Sequence, residues 1–367
     1  LPKLKKYFPI FKAQKVTINI MDLSFIQSID TQNMWRLLRE FPAQWKDAME
    51  LSEDIELSID QNAIRNICFV GMGGSALGAD LMRSYCYDCC PYPIQVVRHY
   101  EIPGWVDEHT LVIACSFSGE TEETLTALTT AREQGAQLVG ITSGGNLMLK
   151  AANENFDYVK IPSGMTPRAA LGYIFIPLFY IFRQLGFLDE GEEALEETYE
   201  LMRQENQQFT NRNDNEALDL ARSLQDTLPI IYSDATLMEP VNIRWREQFH
   251  ESAKTLAYGS TLPEMTHNEI VGWDRIAHLT GRLSLILLVD DKDHERVKKR
   301  MTIVQEMVED QTASLHVLDT RGQSRLTRMF SLIQLADWTS FYLAMLSNIN
   351  PTPVTKIDLL KSKLAEA

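Results

Sequence analysis

The sequence predicts an α/β protein made of two doubly wound parallel sheets, and three observations point there. Short apolar runs recur through the first half with helical patterns between most of them, the rhythm of parallel strands joined by right-handed crossovers. The first run, Ile67-Cys68-Phe69-Val70, feeds the glycine-rich turn Gly71-Met72-Gly73-Gly74-Ser75-Ala76 and then a helical pattern, so a ligand site is expected beyond the carboxyl ends of the strands. A second, sparser strand series begins at Pro229. With 367 residues, 45% hydrophobic and 23% charged, the chain has the length and composition of two globular domains.

Residues 1–20 carry Lys3, Lys5, Lys6, Lys12 and Lys15 and no acid, and they precede Met21. This segment is expected to be a loosely attached appendage. From Asp30 onward, Met34, Leu37, Leu38 and Phe41 recur at helical spacing, with Asp30 or Thr31 as N-cap, predicting a helix packed on the sheet. Strands are expected over 67–70, 94–97, 111–115, 137–141 and 158–161. Residues 188–225 turn acidic (Asp189, Glu190, Glu192, Glu193, Glu196, Glu197, Glu200) while keeping leucine at helical spacing. A helical boundary is expected there, dividing a domain of residues 21–188 from one of residues 189–367. The second series covers 229–232, 283–289 and 314–318 and closes with a long apolar helix around 332–346. It reads as a weaker copy of the first. Its first turn, Ser233-Asp234-Ala235-Thr236, lacks glycine, so no second phosphate cradle is expected.

A net charge of −15 argues against nonspecific binding to nucleic acid or anionic membranes, and any anionic substrate must be captured by local donors. Apolar runs such as Leu283–Val289 are too short to span a bilayer. No signal-peptide pattern opens the chain, so cytoplasmic residence is the expectation. Cys68 and Cys115 lie in strand-like runs, and the cluster Cys86, Cys89, Cys90 has no second Cys/His pair at zinc-finger spacing. All five cysteines are expected as free thiols, and no metal site is expected.

The glycine turn alone fits a degenerate dinucleotide fingerprint. The next loop decides more: Ser116-Phe117-Ser118-Gly119-Glu120-Thr121 follows an apolar strand and precedes a helical pattern, placing three hydroxyls and more free N–H groups at another helix start. Two such cradles suit one phosphate monoester held from several sides. A nicotinamide site would want an acid closing its second strand, and residues 94–97 are followed by Arg98 and His99 instead. The dinucleotide reading is the runner-up. Ordinary capping and turn chemistry would account for any one of Ser116, Ser118 and Thr121, but less well for all three beside a glycine loop.

Both loops resemble those of the sugar isomerase (SIS) domain, in which the hydroxyl-rich loop binds the phosphate of a phosphosugar. Thr166-Pro167-Arg168-Ala169-Ala170-Leu171-Gly172-Tyr173 and Glu264-Met265-Thr266-His267-Asn268-Glu269-Ile270-Val271-Gly272-Trp273 narrow the match, and from about Asp22 onward the chain resembles the bifunctional phosphoglucose/phosphomannose isomerase family. The resemblance implies two flavodoxin-like SIS domains and a homodimer with active sites at the subunit junction. It also implies interconversion of glucose 6-phosphate, mannose 6-phosphate and fructose 6-phosphate without metal or cofactor. Such chemistry needs a base shuttling a proton between C1 and C2, a cation beside the enediolate oxygen, and acid/base help in ring opening.

Matched to the family's motifs, Glu251 is the base, Arg168 the cation, His267 the ring-opening residue contributed across the interface, and Lys361 a lysine beside the ring oxygen. Gly74, Ser75, Ser116, Ser118 and Thr121 would hold the phosphate. Two departures stand out. The family's Asn-Glu-Asn-Ala-Lys is His250-Glu251-Ser252-Ala253-Lys254 here, which bears on substrate preference, and its Ser-Gly-Asn-Thr is Ser118-Gly119-Glu120-Thr121. Glu120 is expected to face solvent or pair with a cation. Two other function classes remain as alternatives: a sugar-phosphate sensor without catalysis, and an NADP-dependent oxidoreductase.

Overall fold

The computed structural model describes residues 21–188, 191–275, 278–279 and 281–366. The expected appendage, residues 1–20, lies outside the described residues, as do Asp189 and Glu190 of the acidic stretch. The first sheet contains β1 (Asn66–Gly71), β2 (Ile94–Val97), β3 (Thr110–Cys115), β4 (Gln137–Thr142) and β5 (Asp157–Lys160), all parallel, in the order β2-β1-β3-β4-β5. Helices cover both faces, so the central β3, Thr-Leu-Val-Ile-Ala-Cys, is buried at every residue, while the edge strands β2 and β5 alternate. The strand order reverses between β1 and β3. That is the switch point where a doubly wound sheet opens a crevice at its carboxyl edge.

The second sheet contains β6 (Leu228–Asp234), β7 (Tyr258–Leu262), β8 (Leu283–Val289) and β9 (Ser314–Asp319), again all parallel, in the order β7-β6-β8-β9. Counted within each sheet, this is the order of the first four strands of the first. The expected topological copy is there, with one strand more than the sequence announces: β7 reads Tyr-Gly-Ser-Thr-Leu, with no apolar run to signal it. Gly259 sits in it because a Cβ would lie 2.4 Å from Asn242 Oδ1 and 2.6 Å from the carbonyl oxygen of Ile231. Asn242 Nδ2 binds the carbonyls of Ile231 and Ser260, at 2.9 and 3.1 Å, and holds the edge strand in place.

The leading segment differs from expectation. It forms two helices, Met34–Arg39 and Phe41–Ser52, parted at Glu40, and the Asp30 carboxylate accepts the N–H groups of both Met34 and Trp35 at 2.8 Å. These helices pack on other helices rather than on the sheet. Trp35 stands edge-on to Trp338, and Trp45 to Phe330, with centroids 4.9 and 4.6 Å apart. Trp45 Nε1 also donates to the carbonyl of Leu195 at 3.1 Å. The apolar helices Leu171–Gln184 and Arg325–Leu346 thus form one core with the leading pair, spanning both halves of the chain.

Candidate active site

At the carboxyl end of β1 the chain turns through Gly73, whose φ of +51° suits glycine, into the helix Gly73–Tyr85. The next loop, after β3, leads into the helix Glu122–Glu133. Neither helix start is capped by a side chain among the described residues, which leaves N–H groups free to meet an anion. One hydroxyl joins the two loops, and the others brace the second loop within itself. Ser75 Oγ accepts the Phe117 N–H at 3.1 Å, Ser116 Oγ accepts the Gly119 N–H at 3.1 Å, Ser116 and Thr121 share a 2.9 Å hydroxyl bond, and Ser118 Oγ accepts the Glu120 N–H at 3.2 Å. A hydroxyl that accepts keeps its own proton. Ser75, Ser118 and one of the Ser116–Thr121 pair therefore retain a proton to give, the complement of an acceptor-only phosphate.

One glycine sets the closeness of these walls, and a second lies against the backbone of the arginine. A Cβ on Gly119, whose φ is +72°, would stand 1.9 Å from the carbonyl oxygen of Gly144 in the loop after β4. At Gly74 a Cβ would touch the carbonyl oxygen of Pro167 at 3.5 Å and Arg168 Cα at 3.6 Å, so the cradle abuts the backbone that carries the arginine.

Arg168 is buried, 5% exposed, on the short 3-10 turn Pro167–Ala169. Its guanidinium meets four groups: Ser252 Oγ at 3.3 Å, Glu251 Oε2 at 3.4 Å, and the carbonyls of Pro351 and Thr352 at 2.7 and 2.9 Å. Burial pulls its pKa below the usual arginine range, and the Glu251 carboxylate opposes that pull. Glu251 closes the helix Glu239–Glu251, and its side chain keeps 29% of its surface open. Behind the pair, Arg244 donates to the Arg168 carbonyl at 2.7 Å and grips Asp337 with two bonds of 2.9 and 2.8 Å. A half-exposed carboxylate against a buried cation, next to a phosphate-sized cradle, is an arrangement able to move a proton on an anchored substrate.

Comparisons with known proteins identify the family. Residues 62–163 match the family model for the SIS domain, and residues 213–364 match that for the bacterial phospho-glucose isomerase C-terminal SIS domain. A bifunctional phosphoglucose/phosphomannose isomerase of Caldicellulosiruptor bescii is 40% identical over 91% of this chain and 99% of its own length. The chain belongs to the bifunctional phosphoglucose/phosphomannose isomerase family. A second member, from Aquifex aeolicus, is 34% identical over 84% of this chain and 93% of its own. Among solved structures, the C-terminal domain of glucosamine-fructose-6-phosphate aminotransferase from Francisella tularensis shares the fold, with a TM-score of 0.68 and 16% identity over 87% of this chain and 98% of that one.

In this phosphoglucose/phosphomannose isomerase relative the two motif departures have local explanations. Ser252 is buried and accepts from Arg168 Nε, so it fills the place beside the arginine. His250 is exposed, and its Nε2 lies 3.0 and 3.1 Å from the backbone oxygen and nitrogen of Ala257. Glu120 is exposed and, among the described residues, meets no cation: it accepts from the Asn146 N–H at 2.9 Å and Asn146 Nδ2 at 2.7 Å, at the start of the helix Gly145–Glu154. Its charge is turned onto a neighbouring helix N-terminus.

Two of the expected residues are not brought in. His267 is exposed on the 3-10 turn Glu264–His267, and among the described residues no hydrogen bond or ion pair joins it to Arg168, Glu251 or the cradle. Lys361 is exposed on the helix Thr355–Ala365, which buries none of its residues. Conversely, the sequence reading misses Lys254 and Thr352. Lys254 Nζ donates to the carbonyls of Glu251 and, at 3.0 Å, Pro351, and burial together with the Arg168 cation pushes its pKa down to about 8. Thr352 Oγ1 is buried, without a partner among the described residues, next to the carbonyl that holds Arg168. Lys254 stands in a quoted motif, and its position one turn after Glu251 was the signal available. No group of three or more His, Cys, Asp or Glu suited to a metal ion occurs among the described residues.

Proposed function

We propose that this isomerase interconverts glucose 6-phosphate, mannose 6-phosphate and fructose 6-phosphate, with Glu251 carrying the proton between C1 and C2 through a cis-enediolate. The observation that carries the reading is the 3.4 Å pair of Arg168 and Glu251, reached from opposite halves of the chain and set against the uncapped cradle. The cradle, with Gly74, Ser75, Ser116, Ser118 and Thr121, holds the phosphate and fixes where the sugar's other end lies. Glu251 then takes the C2 or C1 proton, and Arg168 meets the negative charge that develops on the neighbouring oxygen. The buried guanidinium cannot lose its proton, so it serves as a fixed electrostatic partner. The sequence of proton transfers calls for neither cofactor nor metal.

The site is completed, in this reading, by a second copy of the chain. His267 opens the ring from the partner, and Lys361 assists at the ring oxygen. Support comes from the terminal helix: Ile357, Leu360 and Leu364 form an apolar stripe at helical spacing, 41, 58 and 54% exposed in one chain. The functional division runs between residues 21–188, which hold the phosphate, and residues 189–367, which supply the base. We place the reaction in the cytoplasm. No helix among the described residues is long and apolar enough to cross a membrane.

A coupled assay tests the proposal. Chelator-treated protein supplied with fructose 6-phosphate is expected to form both glucose 6-phosphate and mannose 6-phosphate. Thermal stabilisation by fructose 6-phosphate with no turnover would instead make the chain a sensor. Mixing Glu251→Gln and His267→Ala variants should restore part of the activity, and no recovery would refute the contribution of His267 across the interface.

A further inference from the structure

The helix that begins at the phosphate cradle ends in three cysteines, and nothing in the isomerase reaction uses them. Cys86 follows the last turn of Gly73–Tyr85 and is 1% exposed, its sulfur 3.3 Å from Met82 Sδ. Cys89 is exposed, and Cys90 is half-buried. The backbone keeps turning past the helix end: the N–H groups of Cys89 and Cys90 both bond the carbonyl of Cys86, at 3.2 and 3.0 Å. This tight turn brings Cys89 back beside Cys86, so that each thiol bears on the other's titration. Arg325, from the other half of the chain, reaches over the turn to the carbonyl of Tyr85 at 2.6 Å and to both carboxylate oxygens of Asp88 at 2.6 and 2.8 Å.

We propose that Cys86 and Cys89 form a thiol–disulfide exchange site, with Cys89 as the attacking thiol and Cys86 as the resolving one, for a small-molecule disulfide. The division of roles follows from exposure and charge. Cys89 is open to solvent and has the Cys86 S–H bond and the Arg325 cation beside it, which together hold its thiol down to about 7. Cys86 is sealed in the core, where burial and the bond to Cys89 push its pKa up. Cys90 is also pushed up by burial, so it is the slower competitor.

In the first step the Cys89 thiolate attacks one sulfur of the small disulfide. That molecule's S–S bond breaks, and one half leaves as a thiolate. In the second, Cys86 gives up its proton to the departing thiolate and attacks the Cys89 sulfur, expelling the other half. Two protein thiols are oxidised to one disulfide and one small disulfide is reduced to two thiols. The site depends on contacts remote from the cradle, since a helix of 13 residues puts the two ends about 20 Å apart.

The test uses the full chain and oxidised glutathione, followed by peptide mass mapping of the 86–90 segment and reversal with dithiothreitol. Wild type and Cys90→Ser should lose two hydrogens across Cys86 and Cys89 and regain them on reduction. Cys86→Ala should stop at glutathione bound to Cys89, and Cys89→Ser should react at least about tenfold more slowly near neutral pH. Stable glutathione on wild-type Cys89, faster reaction at Cys90, or a bond between Cys89 and Cys90 would each overturn the assignment. Cys86→Ser, matched to wild type by thermal melting, guards against a folding defect in the alanine variant.

Discussion

At the carboxyl end of the first sheet the chain presents free N–H groups and hydroxyl protons; at the same end of the second it places Asp234, Asp290 and Asp293, all buried. The strand order is shared, so topology supplies a crevice in both places and side chains decide what can enter it. The second set of acids is occupied in holding the fold. Asp234 accepts the N–H groups of Thr236 and Leu237 at 2.6 and 3.0 Å, Asp290 accepts Arg328 Nε at 2.8 Å, and Asp293 accepts the Asp290 N–H at 3.1 Å. Three buried carboxylates make that end unfavourable to an anion. The second half contributes through the far end of the helix after β6, where Glu251 arrives at Arg168. On the proposed reading, one copy of the fold binds and the other delivers a base.

The comparison breaks most visibly if the cradle tolerates a side chain. Gly119→Ala puts a Cβ into the Gly144 carbonyl at positive φ, a clash with no counterpart in Ser233-Asp234-Ala235-Thr236. The expected cost is roughly 2–4 kcal/mol of stability, with the KM for fructose 6-phosphate rising more than about tenfold. Denaturant melts and steady-state kinetics check it, and an unchanged KM would show that the loop after β3 does not hold the phosphate.

The second sheet is sharpened by pH. Burial, reinforced by Asp234 and Asp290, raises the Asp293 carboxyl from 3.8 to about 7. Between those values the folded protein keeps a proton that the unfolded chain has released, so stability falls as pH rises through that window. Asp293→Asn removes the effect while still able to accept the Asp290 N–H. The variant should be more stable than wild type above pH 7 by about 1–3 kcal/mol, the difference closing toward pH 4, with turnover unchanged. A smaller effect is expected at the junction. Lys254 becomes neutral above about 8, removing a positive charge beside Glu251, so kcat/KM should fall roughly two- to threefold through that pH in wild type and stay flat in Lys254→Gln.

The sequence reading and the structure agree where a pattern is local. The first-sheet strands and both cradle loops were legible because apolar runs and glycine turns are set by neighbouring residues. The strand β7 was not, because its place depends on Asn242 and on a glycine that lets two backbones approach. Arg168 in isolation reads as a surface residue after a proline, and its burial is decided by Ser252, Pro351 and Thr352, far along the chain. The leading helix was expected on the sheet because its apolar face carries no record of its partner; Trp338 and Phe330 lie some three hundred positions away. His267 and Lys361 were legible only through the resemblance, and a single chain leaves both exposed.

The division of labour between the halves is tested most directly by Glu251→Gln, with fructose 6-phosphate binding measured by calorimetry beside turnover. The account predicts a Kd within about threefold of wild type and a kcat lower by about a thousandfold or more, since the cradle is intact and only the base is gone. Turnover within tenfold of wild type would contradict it, and so would a loss of binding as large as the loss of rate.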